Sequence, residues 1–273
     1  MQTYLAPAKL NLFLHITSRR PDGYHNLQTI FQFLDYCDVL HFTHRNDGQI
    51  VLHDKADIPL EENLIFKAAR LLQQHTKTHL GIDITLEKNI PMGGGLGGGI
   101  SDAATTLFAL NQLWQLNLDT EILMQLGLQL GADVPIFLYG KAAWAEGIGE
   151  KLTPIDLDEP YYLVIHPNCH VSTREIFSTK SLTRNMPLVN MSHFLAGQCK
   201  NVFEPVVCQH TPEVQTALNW LNQYGSARMT GSGACIFAQF ADKTQAQKLL
   251  TKLPPKWNGF VAEGKNYSPL FDH

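Results

Sequence analysis

Six glycines lie within the twelve-residue stretch PMGGGLGGGISD, which runs from Pro91 to Asp102. Glycine has no Cβ, so successive backbone N–H groups can converge on one point. A helix that begins directly after such a loop adds free N–H donors and the positive end of its dipole. The stretch therefore predicts an anion cradle, and a polyphosphate is the ligand that suits it.

Two better-known phosphate motifs fit this loop poorly. Gly93, Gly95 and Gly98 satisfy the dinucleotide pattern G-x-G-x-x-G, but a run so rich in glycine matches it almost automatically. A P-loop requires Gly-Lys-Ser/Thr at its end, whereas Ile100 follows Gly99 here. A third alternative is a turn without a ligand, and the backbone entropy of so many glycines makes that a poor connector.

The elements that must position the loop can be read on both sides of it. Before the loop, Ile82, Ile84 and Leu86 alternate with polar residues, which is the period of a half-buried strand. After it, Ala103, Leu107, Leu110 and Trp114 recur at helical spacing. The loop is therefore predicted to join a strand to an amphipathic helix.

The rest of the chain mixes strands and helices without regular repetition, which favours the α+β class. One strand, Ala8 to Ile16, is predicted to carry a polar face with Lys9 and Asn11. The turn signal Asn46-Asp47-Gly48 predicts a hairpin between its neighbouring strands. Further strands are predicted over 27–34, 39–43, 49–53, 161–165 and 235–240, and helices over 63–76, 120–130, 211–224 and 244–253.

The length of 273 residues suits two domains packed together. Between Pro154 and Pro160 two prolines and three acidic residues fall within seven positions. We therefore place the domain boundary there, with one domain over 1–154 and a second over 155–273.

Composition excludes several classes of protein. A net charge of −4 argues against a nucleic-acid partner, and the chain has no apolar run long enough for a membrane span. Without a leader of the secretory type, a cytoplasmic location is expected. The five scattered cysteines predict reduced thiols. Neither oligomeric state nor the protein ligands of a metal can be predicted.

Three segments resemble the GHMP kinase superfamily. They are Pro7-Ala8-Lys9-Leu10-Asn11-Leu12, the Pro91–Ser101 loop, and Thr230-Gly231-Ser232-Gly233-Ala234-Cys235. Two further segments, Asp22-Gly23-Tyr24-His25 and Leu130-Gly131-Ala132-Asp133-Val134-Pro135, resemble the branch whose acceptor is a cytidine diphosphate sugar alcohol of the non-mevalonate isoprenoid route. The resemblance runs from Ala6 to about Leu270. It implies a two-domain α+β fold with an active-site cleft between the domains.

The resemblance also implies an activity, the transfer of phosphate from ATP, with Mg²⁺, to the 2-hydroxyl of that small-molecule acceptor. Lys9 and Asp133 take the catalytic positions, with Asp133 accepting the hydroxyl proton and Lys9 offsetting negative charge. From the residues alone, Asp133 is equally an N-cap of a helix containing Pro135. Lys9 would otherwise be a solvated strand lysine.

Implied ligand contacts follow the same resemblance. ATP would lie against the loop residues Pro91, Met92, Gly93, Gly94, Gly95, Leu96, Gly97, Gly98, Gly99, Ile100 and Ser101. The acceptor would contact Asn11, Tyr24, His25, Phe31, Thr173 and Phe177, with Tyr24 and Phe177 stacking on cytosine. Phe177 also suits a core position.

The chain departs from the family pattern at Ile100, where the family has a serine, so a hydroxyl near phosphate or magnesium is missing. Two other functions stay open at this point. One is a GHMP kinase for another alcohol such as mevalonate or homoserine. The other is a nucleotide-binding regulator without catalysis.

Overall fold

A computed structural model describes residues 1–54 and 58–272 of the chain. The described strands are β1 (Gln2–Arg19), β2 (His25–Arg45), β3 (Ile50–His53), β4 (Gly81–Glu87), β5 (Ala143–Gly147), β6 (Lys151–Pro154), β7 (Tyr161–His166), β8 (Arg228–Met229), β9 (Ile236–Phe240) and β10 (Asn258–Lys265). The described helices are α1 (Leu64–Thr76), α2 (Gly98–Leu113), α3 (Thr120–Leu130), α4 (Val134–Tyr139), α5 (Thr173–Ser178), α6 (Met191–Leu195), α7 (Glu204–His210), α8 (Pro212–Leu221) and α9 (Lys243–Leu250). This mixture confirms the predicted α+β class.

The 21-residue strand β2 organises the sheet. One edge of β2 pairs with β1, and its other edge is shared along its length by β5, β10 and β4. β10 also pairs with β7, which pairs in turn with β9. A continuous hydrogen-bonded path therefore connects the first half of the chain to the second.

Apolar faces of the helices cover this sheet in two places. In the first half, α2 packs on β1 and β2, and α1 and α3 pack against α2, with buried residues such as Leu40, Ile84 and Leu107. In the second half, α8 and α9 cover β7 and β9, where Leu163 and Leu218 are buried. None of the described helices has both the length and the apolar character needed to cross a membrane.

The predicted elements around the glycine loop are confirmed. β4 precedes the loop with Ile82, Ile84 and Leu86 buried, and α2 follows it with Leu107 and Leu110 buried. The other predicted helices correspond to α1, α3, α8 and α9, although α8 and α9 each end three residues earlier than expected. The strands predicted over 27–34 and 39–43 are parts of the single strand β2.

The predicted hairpin at Asn46-Asp47-Gly48 is wrong. β3 does not pair with β2; it pairs in parallel with β4, and β4 pairs antiparallel with β2. The turn itself is present, since Gly48 has a φ of 72° and Asp47 accepts a hydrogen bond from the Gln49 N–H. β4 offers β2 a seven-residue ladder with three buried side chains, and the four-residue β3 is left at the edge.

The domain boundary between 154 and 155 stays a prediction. β6 ends at Pro154 and β7 begins at Tyr161, so the boundary falls in the segment that connects them. The C-terminal part of the chain also returns to the first half, because β10 pairs with β2 and Leu270 joins the first apolar cluster.

Candidate active site

A cavity of about 840 Å³ lies between the glycine-rich loop, β1, the turn before β2, and α5. All but one of the residues predicted to bind or react line this cavity. They are Lys9, Asn11, Tyr24, His25, Phe31, Pro91, Met92, Gly93, Gly94, Gly95, Leu96, Gly97, Gly98, Gly99, Ile100, Asp133, Thr173 and Phe177. Ser101 is the exception, because it is fully buried in the first turns of α2.

Lys9 projects from β1 and is only 2% exposed. Its Nζ donates to Asn11 Oδ1 and, at 3.1 Å, to the Gly95 carbonyl, and it lies 3.4 Å from Asp133 Oδ2. Burial lowers the pKa of Lys9, while the attraction of Asp133 acts to raise it. A solvated strand lysine is therefore excluded, and Lys9 links the glycine loop to an acidic side chain.

Asp133 occupies the N-terminal position of α4, with Pro135 in the first turn, as the sequence allowed. Its side chain makes no capping hydrogen bond to that helix. The carboxylate instead pairs with Lys9 and remains 35% exposed. A carboxylate that is open to a cavity and paired with a buried ammonium can accept a proton from an alcohol.

Aromatic rings gather at the α5 side of the cavity. The His25 and Phe177 rings lie 5.3 Å apart between centroids, and Phe177 also packs edge-on against Phe203 at 4.8 Å. Tyr24 is 59% exposed after the turn at Asp22. Phe177 is thus both a cavity wall and a partner of the second apolar core. Flat rings in this arrangement suit a planar ligand.

Close packing explains why parts of the loop require glycine. Gly95 has a φ of 77°, and a Cβ there would overlap the Thr230 carbonyl oxygen of the third motif. Gly99 differs, since the nearest atom to a Cβ would be 4.0 Å away, on Leu64. The loop is therefore anchored against the second half of the chain at Gly95 and open at the start of α2.

A second lysine lies beside the loop, directly after β4. Lys88 Nζ is 2.5 Å from Asp38 Oδ2 and 2.9 Å from Asp102 Oδ2. Burial acts to lower the pKa of Lys88, but the two carboxylates outweigh it and raise the pKa overall. Burial, together with the negative charge of the nearby Asp38, raises the pKa of Asp102 to about 7 despite the attraction of Lys88.

Sequence reasoning missed two features of this site. The Ser232 hydroxyl lies 2.6 Å from the Thr173 hydroxyl, so the third motif contacts the start of α5. Gly231-Ser232-Gly233 is itself a Gly-x-Gly segment, which was a usable signal. The Lys88 cluster was not predicted either, because its two carboxylate partners are distant in sequence.

Models of two GHMP kinase domains match this chain. The GHMP kinases N terminal domain matches residues 63–141, and the GHMP kinases C terminal domain matches residues 177–259. The fold and the cleft thus define the class, and the chain belongs to the GHMP kinases.

Relatives place it more narrowly. The 4-diphosphocytidyl-2-C-methyl-D-erythritol kinase of Nitrosococcus oceani is 55% identical over 273 residues, covering 100% of this chain and 98% of that protein. The protein of the same name from Hahella chejuensis is 52% identical, covering 99% of this chain and 95% of its own. Within the GHMP kinases, the chain therefore belongs to the 4-diphosphocytidyl-2-C-methyl-D-erythritol kinase family.

Solved structures agree with that placement. A crystal structure of 4-(cytidine 5'-diphospho)-2C-methyl-D-erythritol kinase matches with a TM-score of 0.85 and 31% identity, covering 96% of this chain and 99% of that one. A crystal structure of mevalonate kinase matches with a TM-score of 0.68 at 16% identity, covering 97% of this chain and 100% of that one. The second likeness shows a shared fold.

Proposed function

We propose that the chain is an ATP-dependent kinase that phosphorylates the 2-hydroxyl of 4-diphosphocytidyl-2-C-methyl-D-erythritol. The products are the 2-phosphate and ADP, as a cytoplasmic step in isoprenoid precursor synthesis by the non-mevalonate route. The observation that carries the proposal is the Lys9–Asp133 pair, which lies in one cavity with the glycine-rich loop and with the His25–Phe177 ring pair. The names of the relatives give the same acceptor.

Phosphoryl transfer depends mainly on positioning and on charge stabilisation. Asp133 is the group that accepts the proton of the acceptor hydroxyl, since its carboxylate is open to the cavity. Lys9 pairs with Asp133 and offsets negative charge that develops on the transferring group. Asn11 fixes the Lys9 ammonium, and its own amide is held by a donated hydrogen bond to Thr29 Oγ1.

ATP would lie with its phosphates on the loop and on the start of α2, where Gly99 leaves open space. The described residues contain no group of three His, Cys, Asp or Glu side chains placed to hold a metal ion. Mg²⁺ accompanying ATP would neutralise charge on the phosphate oxygens, and such a site uses one or two carboxylates beside those oxygens. The Ser101 hydroxyl is buried without a hydrogen-bond partner in the described chain, so it is held away from the cavity surface.

Cytosine recognition falls to Tyr24, His25 and Phe177. A base stacked on one aromatic side chain gains about 1–3 kcal/mol. Burial lowers the pKa of His25, which favours its neutral ring, and a ring nitrogen of His25 would hydrogen-bond to a base edge. These rings favour a nucleobase-bearing acceptor over mevalonate or homoserine, which have no flat group.

An ADP-release assay with the purified chain tests the proposal, using the cytidine diphosphate acceptor, mevalonate and homoserine in parallel. Turnover is expected with the cytidine compound alone, and CDP should compete with that acceptor rather than with ATP. Tyr24→Ala should raise the KM of the acceptor by the factor that corresponds to a loss of about 1–3 kcal/mol of stacking energy. The KM of ATP should stay unchanged. Preferred turnover of mevalonate, or no turnover of any acceptor, would overturn the proposal.

A further inference from the structure

Arg184 lies in the segment after α5, outside the cavity wall, and its described side-chain hydrogen bonds all go to main-chain carbonyls. Its guanidinium donates to the Phe177 carbonyl at 2.6 Å, to the Thr179 carbonyl at 2.9 Å and to the Leu182 carbonyl at 3.0 Å. The side chain is half-buried. A planar guanidinium can span several acceptors in this way, whereas an ammonium is a single point charge.

The end of α5 needs such a donor because the last carbonyls of a helix have no partners within it. Thr179 supplies two donors, its hydroxyl to the Glu175 carbonyl and its N–H to the Ile176 carbonyl. The Phe177 carbonyl receives its described hydrogen bond from Arg184. Arg184 therefore closes the C-terminal end of the helix, where its positive charge also suits the helix dipole.

The position of α5 determines the distance and the angle between the Phe177 ring and the His25 ring. Phe177 belongs to the second half of the chain, whereas His25 begins β2 in the first half. Their rings are separated by 5.3 Å and inclined at 30°. α5 has only six residues, so it has little stability of its own, and the contacts at its ends fix its orientation.

We propose that Arg184 is a positioning residue of the nucleobase subsite, which holds Phe177 at its working distance from His25 without touching the ligand. This inference rests on the proposed function. It adds a residue that the sequence did not single out, and it assigns specificity for the base to a hydrogen-bonded end of α5 as well as to the rings.

The charge of Arg184 has a second effect, on His25. Burial lowers the pKa of His25, and the positive charges of Arg184 and Arg19 lower it further. Arg19 is the strand partner of His25 on β1. The other charged groups on neighbouring elements have partners of their own: Arg20 with Asp22, Glu146 with Gln28, and Glu150 with the Ile148 N–H. Loss of the Arg184 charge should therefore let His25 protonate at higher pH.

The test compares two variants. Arg184→Gln removes the positive charge, and Arg184→Lys keeps the charge but replaces the planar guanidinium, which spans three carbonyls, with a single ammonium. Arg174→Gln is the matched control, because Arg174 is an exposed arginine on α5 outside the cavity wall. Steady-state kinetics with the cytidine diphosphate acceptor and ATP are measured from pH 5.5 to 8.5 for each full-length variant, together with a thermal melt.

Arg184→Gln is expected to raise the KM of the acceptor roughly tenfold, with kcat and the KM of ATP unchanged. The acid limb of kcat/KM for the acceptor should move to higher pH. Arg184→Lys should raise the KM by less and leave the acid limb in place, and it also serves if Arg184→Gln fails to fold. Arg174→Gln should match the wild type.

An unchanged acceptor KM in both Arg184 variants, or equal losses for acceptor and ATP, would overturn the inference. These results leave the proposed function standing, because the wild type would still phosphorylate the acceptor. A wild-type chain that neither binds CDP nor phosphorylates the acceptor would overturn both.

Discussion

Two lysines line the same cavity, and they are paired in different ways. Lys9 has one carboxylate partner, Asp133, whose side chain is 35% exposed. Lys88 has two, Asp38 and Asp102, whose side chains are 0% and 3% exposed. Asp133 is the most exposed of these three carboxylates, so the proposed function gives the exchange of a proton with a bound alcohol to that pair. The lesson is that access of the carboxylate, rather than the ion pair itself, separates a reactive pair from a structural one.

The Lys88 cluster stabilises the frame around the loop. Asp38 belongs to β2 and also accepts hydrogen bonds from the Asn89 and Ile90 N–H groups. Asp102 lies on α2, and its Oδ1 is buried without a partner in the described residues. The cluster therefore connects β2, the end of β4 and α2, with two carboxyl groups to one ammonium.

The largest loss of stability is expected when the Lys88 cluster loses its lysine. Lys88→Met leaves two buried carboxylates without an ammonium, and breaking such a pair costs about 3–5 kcal/mol. The free energy of unfolding in urea should fall by that amount. An unchanged urea midpoint would show that the cluster contributes nothing to the frame.

Asp102→Asn should change how the stability of the Lys88 cluster depends on pH. Because folding raises the pKa of Asp102 to about 7, stability from this group is full below its unfolded pKa and is lost as the pH rises through 7. The free energy of unfolding of the variant, relative to that of the wild type, should therefore rise between about pH 4 and 7, by at most about 4 kcal/mol. Above pH 7 the difference should stay constant. Melting curves across this range measure it; a pH-independent difference would contradict it.

Lys9→Met is the matched substitution at the reactive pair. In the proposed mechanism Lys9 stabilises negative charge on the transferring group, so kcat should fall about 10²-fold, equivalent to about 3 kcal/mol. The free energy of unfolding should drop by only about 1–2 kcal/mol, because water can reach Asp133 while two carbonyl acceptors lose a donor. A stability loss as large as that of Lys88→Met, with turnover retained, would reverse the assignment of the two lysines.

Local patterns in the sequence predicted β4, α2 and the strand that bears Lys9, because alternation and helical spacing report burial directly. Pairing between distant segments was not predictable. The predicted turn at Asp47-Gly48 is present, but β2 pairs with β4 and not with β3. The longer ladder of β4 and its buried side chains determine this pairing.

The site shows the same division. The glycine loop and Asp133 were found from short motifs and from the resemblance. Lys88 with its two carboxylates and Arg184 with its three carbonyls were not, because their partners lie far apart in sequence or belong to the main chain, which carries no residue signal.

The most direct test of the central claim is a single-turnover measurement with Asp133→Asn. The variant is mixed with saturating ATP and cytidine diphosphate acceptor, and transfer of the γ-phosphate is followed by rapid quench, with ATP affinity measured by calorimetry. The amide keeps the size of the carboxylate and removes the base, so the rate of transfer should fall about 10²-fold or more with ATP affinity unchanged. A transfer rate equal to that of the wild type would contradict the role of Asp133 as the proton acceptor.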